Sequence, residues 1–404
     1  MKIAFLTAGG LAPCLSASIG ALIEAYEDVK VKNDYLGYLH GFRGLLLGNS
    51  IQFSNTVINN TNLFYAYGGS PIGNSRVKLT NTEDCIEKGY IKAGEEPLHI
   101  AAKQLINDEI DVLHTIGGDD TNTMAAELAE YMHDIGNPIT VVGLPKTVDN
   151  DIIPVKQTLG AWTAAEQGAV FFENIVNENT TSTRQLIIHE VMGRHCGWLT
   201  AETARIYRQR LSSKQFLPEI NLSQERWDVD AVYIPEMGLN IRGEVRRLTK
   251  LMDEKDGVNI FLSEGAGIGE IISEMEGRGE EVPRDAFGHV KLDLINPGKW
   301  FAGQFAKDLN AEKILVQKSG YFARSAAPNQ ADLDLIKDSA ALAVKYASDG
   351  RNGLVGQDDK LQGKLALIDF DRIHGGKPFD IDQEWFDELL ADIGQPKDSV
   401  FKQN

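Results

Sequence analysis

The chain has 404 residues, 43% hydrophobic and 24% charged, with a formal net charge of -18. Such a composition is that of a globular protein, and the length allows a large core shared between two lobes. The acidic balance argues against a general nucleic-acid or anionic-membrane surface, which would need a basic face.

Three cysteines (Cys14, Cys85 and Cys196) are too few and too scattered for a disulfide framework or a metal cluster, so buried thiols are expected. Met1-Lys2 runs straight into a strand-like segment with no signal-peptide core. No apolar run approaches the length of a membrane span. A cytoplasmic protein with no nucleic-acid or membrane partner is expected.

In chain order, short β-rich runs alternate with helical patterns. Ile3–Thr7 leads through Ala8-Gly-Gly-Leu-Ala-Pro13 into a helix from about Ser16 to Lys30. Val112–Ile116 leads through Gly117-Gly-Asp-Asp120 into a helix carrying Met124, Leu128, Tyr131 and Met132 on its apolar face. Ile139–Gly143 leads into Pro145-Lys-Thr-Val-Asp-Asn-Asp151, and a long helix follows near Trp162–Val176.

A second series of strands reads as Gln185–His189, Ala231–Ile234, Val258–Leu262 and Lys313–Gln317. Residues near 274–299, rich in glycine and charge, read as an inserted excursion. Beyond Gly320 the chain is expected to return to the first lobe, with a strand at Ala366–Phe370. The alternation predicts an α/β protein of two lobes, each a mostly parallel sheet flanked by helices.

The chemistry concentrates where strands hand over to loops, the place where open α/β sheets bind ligands. Gly9-Gly10 and Gly117-Gly118 each follow a strand and precede a helix. Glycine there lets backbone amides approach a phosphate, although tight turns use such pairs constantly. Asp119-Asp120 is harder to explain by helix capping alone, and one carboxylate can hold a magnesium ion that bridges phosphate oxygens.

In the Pro145–Asp151 motif, Asp149 is a candidate general base, Asp151 an orienting group, and Lys146 a cation beside a transferring phosphoryl group. Arg194 and Arg324, each just after a strand, suit bidentate phosphate binding. Gly265-Ala-Gly-Ile-Gly269 fails as a dinucleotide fingerprint because its third glycine would fall at Glu270. His195 beside Cys196 is a weak nucleophile pair, since neighbours on a helix point different ways.

These motifs together resemble the phosphofructokinases. Ala8-Gly-Gly-x-Ala-Pro13, Gly68-Gly-Ser-x-x-Gly-x-Ser-Arg76, Gly117-Gly-Asp-Asp-Thr121, Pro145–Asp151, Met192-Gly-Arg194 and Tyr321-x-x-Arg324 fall in that family's order, and the match runs beyond residue 370. ATP-dependent members have Gly-Gly-Asp-Gly and Pro-Gly-Thr at the two central motifs. Asp120 and Lys146 stand here instead, which looks like the pyrophosphate-dependent branch. A carboxylate in place of glycine puts negative charge where a nucleotide's α-phosphate must pass. The lysine adds a cation beside the transferred group.

The resemblance implies transfer of a phosphoryl group from pyrophosphate to the 1-hydroxyl of fructose 6-phosphate, reversibly, with Mg2+. It assigns residues 1–160 to a lobe for pyrophosphate and magnesium and 161–320 to a sugar-phosphate lobe. Residues 321–404 would be the return to the first lobe and the C-terminal helices.

It implies Asp149 as the base, with Lys146 and Asp120 beside the donor, and Asp119 on the metal. Gly9, Gly10 and Arg76 would lie along pyrophosphate. Thr147, Val148 and Asp151 would hold the sugar end, and Met192, Gly193, Arg194, Glu264, Tyr321 and Arg324 the sugar phosphate. A non-allosteric homo-oligomer, at least a homodimer, with sites completed across subunits is also implied.

Where the family has a glycine after Ala-Pro this chain has Cys14, which leaves the path of the first loop open. Arg184 is the nearest match for a phosphate-binding arginine lent by the neighbouring subunit. For a second such arginine, expected near residues 313–318, Lys313 and Lys318 are the candidates. Two rivals remain at this stage. One is an ATP-using kinase of a related group, which would lack the Pro-Lys-Thr-x-Asp-x-Asp and Met-Gly-Arg motifs. The other is a non-catalytic sugar-phosphate sensor, which loss of Asp119 or Asp149 would have favoured.

Overall fold

Lys2–Thr7 (β1) is an apolar run buried almost throughout, and it pairs in parallel on both sides. Its neighbours are Asp34–Tyr38 (β2) and Val112–Gly117 (β4). Strands covered on both faces read as continuous hydrophobic runs, which is why β1, β4 and Thr140–Pro145 (β5) were legible. The computed structural model describes residues 1–29, 32–284 and 290–397.

The chain divides into two compact units, Met1–Ala164 with Arg324–Lys377, and Ala165–Ala323 with the segment from Pro378. Unit 1 is built on a seven-stranded sheet. Ser50–Gln52 (β3), Gly353–Asp358 (β10) and Lys364–Ile368 (β11) complete the order β11-β10-β5-β4-β1-β2-β3. The central pairings are parallel, and the two outermost, β10–β11 and β2–β3, are antiparallel.

Ala4, Leu6, Leu113 and Val141 from these strands pack with Leu105, Met124 and Leu128 from the flanking helices. The helices Leu15–Asp28 and Asp119–Asp134 follow β1 and β4 directly, so their N-termini stand at the strands' carboxyl ends. Lys30, the expected end of the first of them, lies outside the described residues.

Unit 2 holds a four-stranded parallel sheet. Gln185–Val191 (β6), Ala231–Tyr233 (β7), Gly257–Ser263 (β8) and Lys313–Lys318 (β9) run in the order β7-β8-β6-β9. Its core includes Phe172, Tyr207 and Phe261 around His189.

The helix Glu384–Asp392 packs Phe386, Leu389 and Leu390 into that same core. The chain from Pro378 therefore belongs to unit 2, where the sequence suggested a return to the first lobe. The apolar face of this helix found its partner in Phe379 and the aromatic cluster of unit 2. Of the excursion expected near 274–299, residues 285–289 lie outside the described residues. The rest holds the end of the helix Ile268–Gly277, the short helix Leu292–Ile295 and the start of the helix Pro297–Ala306. Among the described residues no helix is long and apolar enough to cross a membrane.

Candidate active site

At the carboxyl ends of β1, β4 and β5, three loops of unit 1 meet. Their conformations are set by a small number of residues. Gly9 has φ +85°, and a Cβ there would lie 2.9 Å from the Lys146 ammonium. A Cβ on Gly10 would collide with the Arg324 guanidinium and stand 3.6 Å from that of Arg76. The positive φ favours glycine at position 9, and at both places a side chain would push against a cation.

The Gly9–Gly10 loop is held by Asn74, whose amide donates to the Gly9 carbonyl at 2.6 Å, and by the Gly9 amide donating to the Ser75 carbonyl at 2.8 Å. Asn74 occupied one of the unassigned positions in the Gly68–Arg76 motif. Its amide could serve many turns, so nothing in the sequence singled it out. Cys14 is fully buried, with its thiol donating to the Leu159 carbonyl at 3.2 Å, and burial pushes its pKa far up. It is an inert packing group.

The Pro145–Asp151 loop is equally fixed. The Lys146 amide donates to the Gly117 carbonyl at 2.8 Å, and the Leu159 amide to the Pro145 carbonyl at 2.9 Å. Asn150 is buried in the left-handed region, φ 57°, and its side-chain oxygen accepts the Thr158 amide at 2.9 Å. The Thr158 hydroxyl donates to the Thr147 carbonyl at 2.8 Å. Behind them buried Asp332 accepts the Gly160 and Thr163 amides at 3.0 and 2.7 Å. Asn150 thus turns the chain between Asp149 and Asp151. The Asp149 amide donates to the Thr147 hydroxyl at 3.1 Å.

These loops line a cleft of about 190 Å³ that includes Gly9, Gly10, Arg76, Asp119, Lys146 and Arg324. Asp120, Thr147, Val148 and Asp151 also line it. The cleft is smaller than the roughly 300–1,000 Å³ of pockets that take drug-sized ligands.

The Lys146 ammonium is buried and donates to the Gly10 carbonyl at 2.9 Å. Burial pushes its pKa down to about 8; Arg324 and Arg76 push the same way, while Cys14 and Asp149 pull it up. Arg324 donates to the Leu11 carbonyl at 3.2 Å. Asp119 opens the helix Asp119–Asp134, and its pKa is raised by burial, with the Asp120 and Asp151 carboxylates adding to the rise. Asp120 is mostly exposed and pairs with Lys78 at 2.7 Å.

Among the described residues no group of three metal-ligating side chains occurs. The donor set nevertheless fits magnesium, which takes one or two carboxylates and completes its shell with water and substrate phosphate. Three carboxylates facing one cleft also repel a polyanion unless a cation enters with it.

In unit 2 Met192, Gly193, Arg194 and Glu264 lie at the ends of β6 and β8, and Tyr321 follows β9. The Glu264 amide donates to the Val191 carbonyl at 2.8 Å, and the Ser263 hydroxyl to the Gly193 carbonyl at 2.5 Å. Gly193 has φ +127°. A Cβ on Gly265 would strike the Arg194 carbonyl, so the glycine-rich segment first read against a dinucleotide fingerprint serves close packing instead. Met192, Gly193, Arg194 and Glu264 therefore share one turn-on-turn contact. Tyr321 is 78% exposed. His195 is exposed and Cys196 buried, so the two side chains part company.

Arg184 is not with them. Its guanidinium donates to the Leu309 and Asn310 carbonyls at 2.6 and 3.0 Å and to Asp253 at 2.8 Å. Those bonds occupy its fork within its own unit. Lys318 pairs with buried Glu190 at 2.7 Å, and Lys313 with Glu178.

Residues 2–347 match the phosphofructokinase family. The chain belongs to that family. It is 54% identical to the pyrophosphate–fructose 6-phosphate 1-phosphotransferase of Methylomonas methanica, covering 98% of this chain and 97% of that one. The enzyme of the same name from Mastigamoeba balamuthi is 53% identical, with 98% and 96% covered.

Among solved structures, the pyrophosphate-dependent phosphofructokinase of Nitrosospira multiformis matches with a TM-score of 0.70 at 17% identity, covering 98% of this chain and 93% of that one. That of Marinobacter aquaeolei matches at 0.68 and 18%, covering 98% and 92%. These two likenesses establish the fold, a mixed α/β architecture of parallel sheets flanked by helices.

Proposed function

We propose that this phosphofructokinase moves a phosphoryl group from pyrophosphate to the 1-hydroxyl of fructose 6-phosphate, releasing phosphate and fructose 1,6-bisphosphate. The observation that carries the choice of donor is the buried Lys146 ammonium set against Gly9 and Gly10, with Asp120 across the same small cleft. Relatives sharing 53–54% of the sequence over nearly their whole length bear pyrophosphate in their names. Unit 1 is the donor unit, and unit 2 supplies the sugar-phosphate residues.

In the forward direction Asp149 takes the proton of the 1-hydroxyl. The oxygen then bonds to the nearer phosphorus while the bridging P–O bond breaks in line, and phosphate leaves. No phosphoenzyme forms, because phosphoryl transfer of this kind needs positioning and charge stabilisation rather than covalent help. Lys146, Arg76 and Arg324 offset the charge that spreads over the departing phosphate. Asp119 would hold Mg2+, which when bound would supply positive charge against the phosphate groups. Arg194, Met192, Glu264 and Tyr321 grip the sugar phosphate, while Thr147, Val148 and Asp151 orient its reactive end. The reaction is reversible and unregulated by a separate effector.

Incubation with fructose 6-phosphate, pyrophosphate and magnesium should yield fructose 1,6-bisphosphate and phosphate in equal amounts. No product would sink the reading.

The enzyme works as a homodimer with its sugar-phosphate site completed by the second copy. β9 is the outer strand of a parallel sheet, a class normally buried, yet it leaves Ile314 46% exposed, and Tyr321 and the half-exposed Phe322 follow it. Arg184, Lys313 and Lys318, each paired within its own unit, are the candidates for the lent cation. Light scattering at assay concentration should give twice the chain mass, and a monomer with full activity would remove this part.

A further inference from the structure

The site also touches a segment that no motif pointed to. Residues 372–377 lie beyond 2–347, the stretch common to the family at large, but within the span shared with the 53–54% identical relatives. Both ends of the segment are fastened. Arg372 forks onto Asp358 with two bonds of 2.7 Å, and Ile373 is buried with Ile152, Val155, Leu354 and Ile368. His374 exchanges backbone hydrogen bonds with Ile153 at 2.7 and 3.1 Å. The Lys377 amide donates to the Asp151 carbonyl at 2.9 Å, and its ammonium to the Val155 carbonyl at 2.6 Å.

Between these anchors Gly375 passes directly over Asp119. A Cβ at this glycine would overlap the Asp119 carboxylate, lying 2.7 Å from its Cγ and closer still to Oδ2. Gly375 is not among the positive-φ glycines, so conformational freedom does not explain it. The neighbouring Gly376, at φ +79°, has open space around a Cβ, so the crowding is specific to Gly375.

We propose that the segment 372–377 is a positioning element for the donor site, and that Gly375 sets where the Asp119 carboxylate stands. The segment is pinned on both sides and cannot yield easily, so a side chain at 375 displaces the carboxylate rather than the backbone. Through the Lys377 amide the same segment holds the Asp151 end of the motif loop. The inference rests on the reading of Asp119 as the metal carboxylate. Groups that orient a metal ligand typically change metal affinity about 10–100-fold when altered.

The test uses Mn2+ in place of magnesium, with binding in the presence of methylenediphosphonate followed by electron paramagnetic resonance, so that no turnover is needed. Gly375→Ala should weaken Mn2+ binding by about 10–100-fold. Asp119→Ala should abolish it. In the Asp119→Ala background only the Asp119 Cβ remains, 3.5 Å from the added methyl. The double variant should therefore melt at the temperature of Asp119→Ala alone, whereas Gly375→Ala by itself should melt below the unaltered protein.

Unchanged Mn2+ affinity in Gly375→Ala, with Asp119→Ala defective, would overturn the positioning role while leaving the metal assignment intact. Normal affinity in Asp119→Ala would overturn the metal assignment and this proposal with it. A double variant that melts as far below Asp119→Ala as Gly375→Ala melts below the unaltered protein would show that the contact does not act through the carboxylate.

Discussion

Replacing Asp149 with alanine should lower turnover with pyrophosphate by about two to four orders of magnitude, the usual contribution of a positioned general base. The expectation follows from how firmly the loop presents this residue. Asn150 in its left-handed turn is locked to Thr158, and the Asp149 amide is capped by the Thr147 hydroxyl. The backbone should therefore stay in place when the carboxylate is removed. The loss should appear in kcat, measured at saturating substrates, with little change in thermal stability. Near-normal turnover would move the proton acceptor to Asp151, the other acid of the motif and the one that lines the cleft.

Lys146→Met should cost about 10²–10³ in kcat, comparable to the loss of one preorganised donor at the site of developing charge. The ammonium is buried and backed by Arg324 and Arg76, so water cannot replace it, and neither arginine can occupy its position against Gly9.

The same residue predicts a pH dependence. Lys146 carries its charge below about 8 and loses it as the pH rises through that value. In kcat/KM, which reports groups of the free enzyme, activity should fall on the alkaline side near that pH. The residual activity of Lys146→Met should lack that limb under identical buffers, which separates the lysine from ionisation of pyrophosphate itself. An alkaline limb of the same midpoint in both proteins would assign it to another group.

Much of this site was legible because its residues announce their chemistry. Asp149, Lys146 and the paired glycines sit where mainly apolar strands end, and β1, β4 and β5 are buried almost throughout. The loops' supports were not legible. Asn74, Asn150, Asp332 and Thr158 act by hydrogen bonds to residues outside their own turns, and any of them could have been an ordinary turn residue.

Strand β10, Gly-Leu-Val-Gly-Gln-Asp, lacks both alternation and a long apolar run, yet sits between β5 and β11 because its neighbours cover it. Arg184 is held within its own unit for a physical reason. Its position before a strand suits phosphate binding, but nearby carbonyls at Leu309 and Asn310 capture the guanidinium first. Gly375 carried no signal at all, since its importance lies in what a side chain there would strike.

The central claim is that a small, cation-lined cleft takes pyrophosphate and turns a nucleotide away. It is tested most directly by the ratio of kcat/KM for pyrophosphate to that for ATP, with fructose 6-phosphate and magnesium saturating and fructose 1,6-bisphosphate as the product measured. The arrangement of Lys146 and Asp120 predicts a ratio of several orders of magnitude in favour of pyrophosphate. Equal use of the two donors, or preference for ATP, would contradict it.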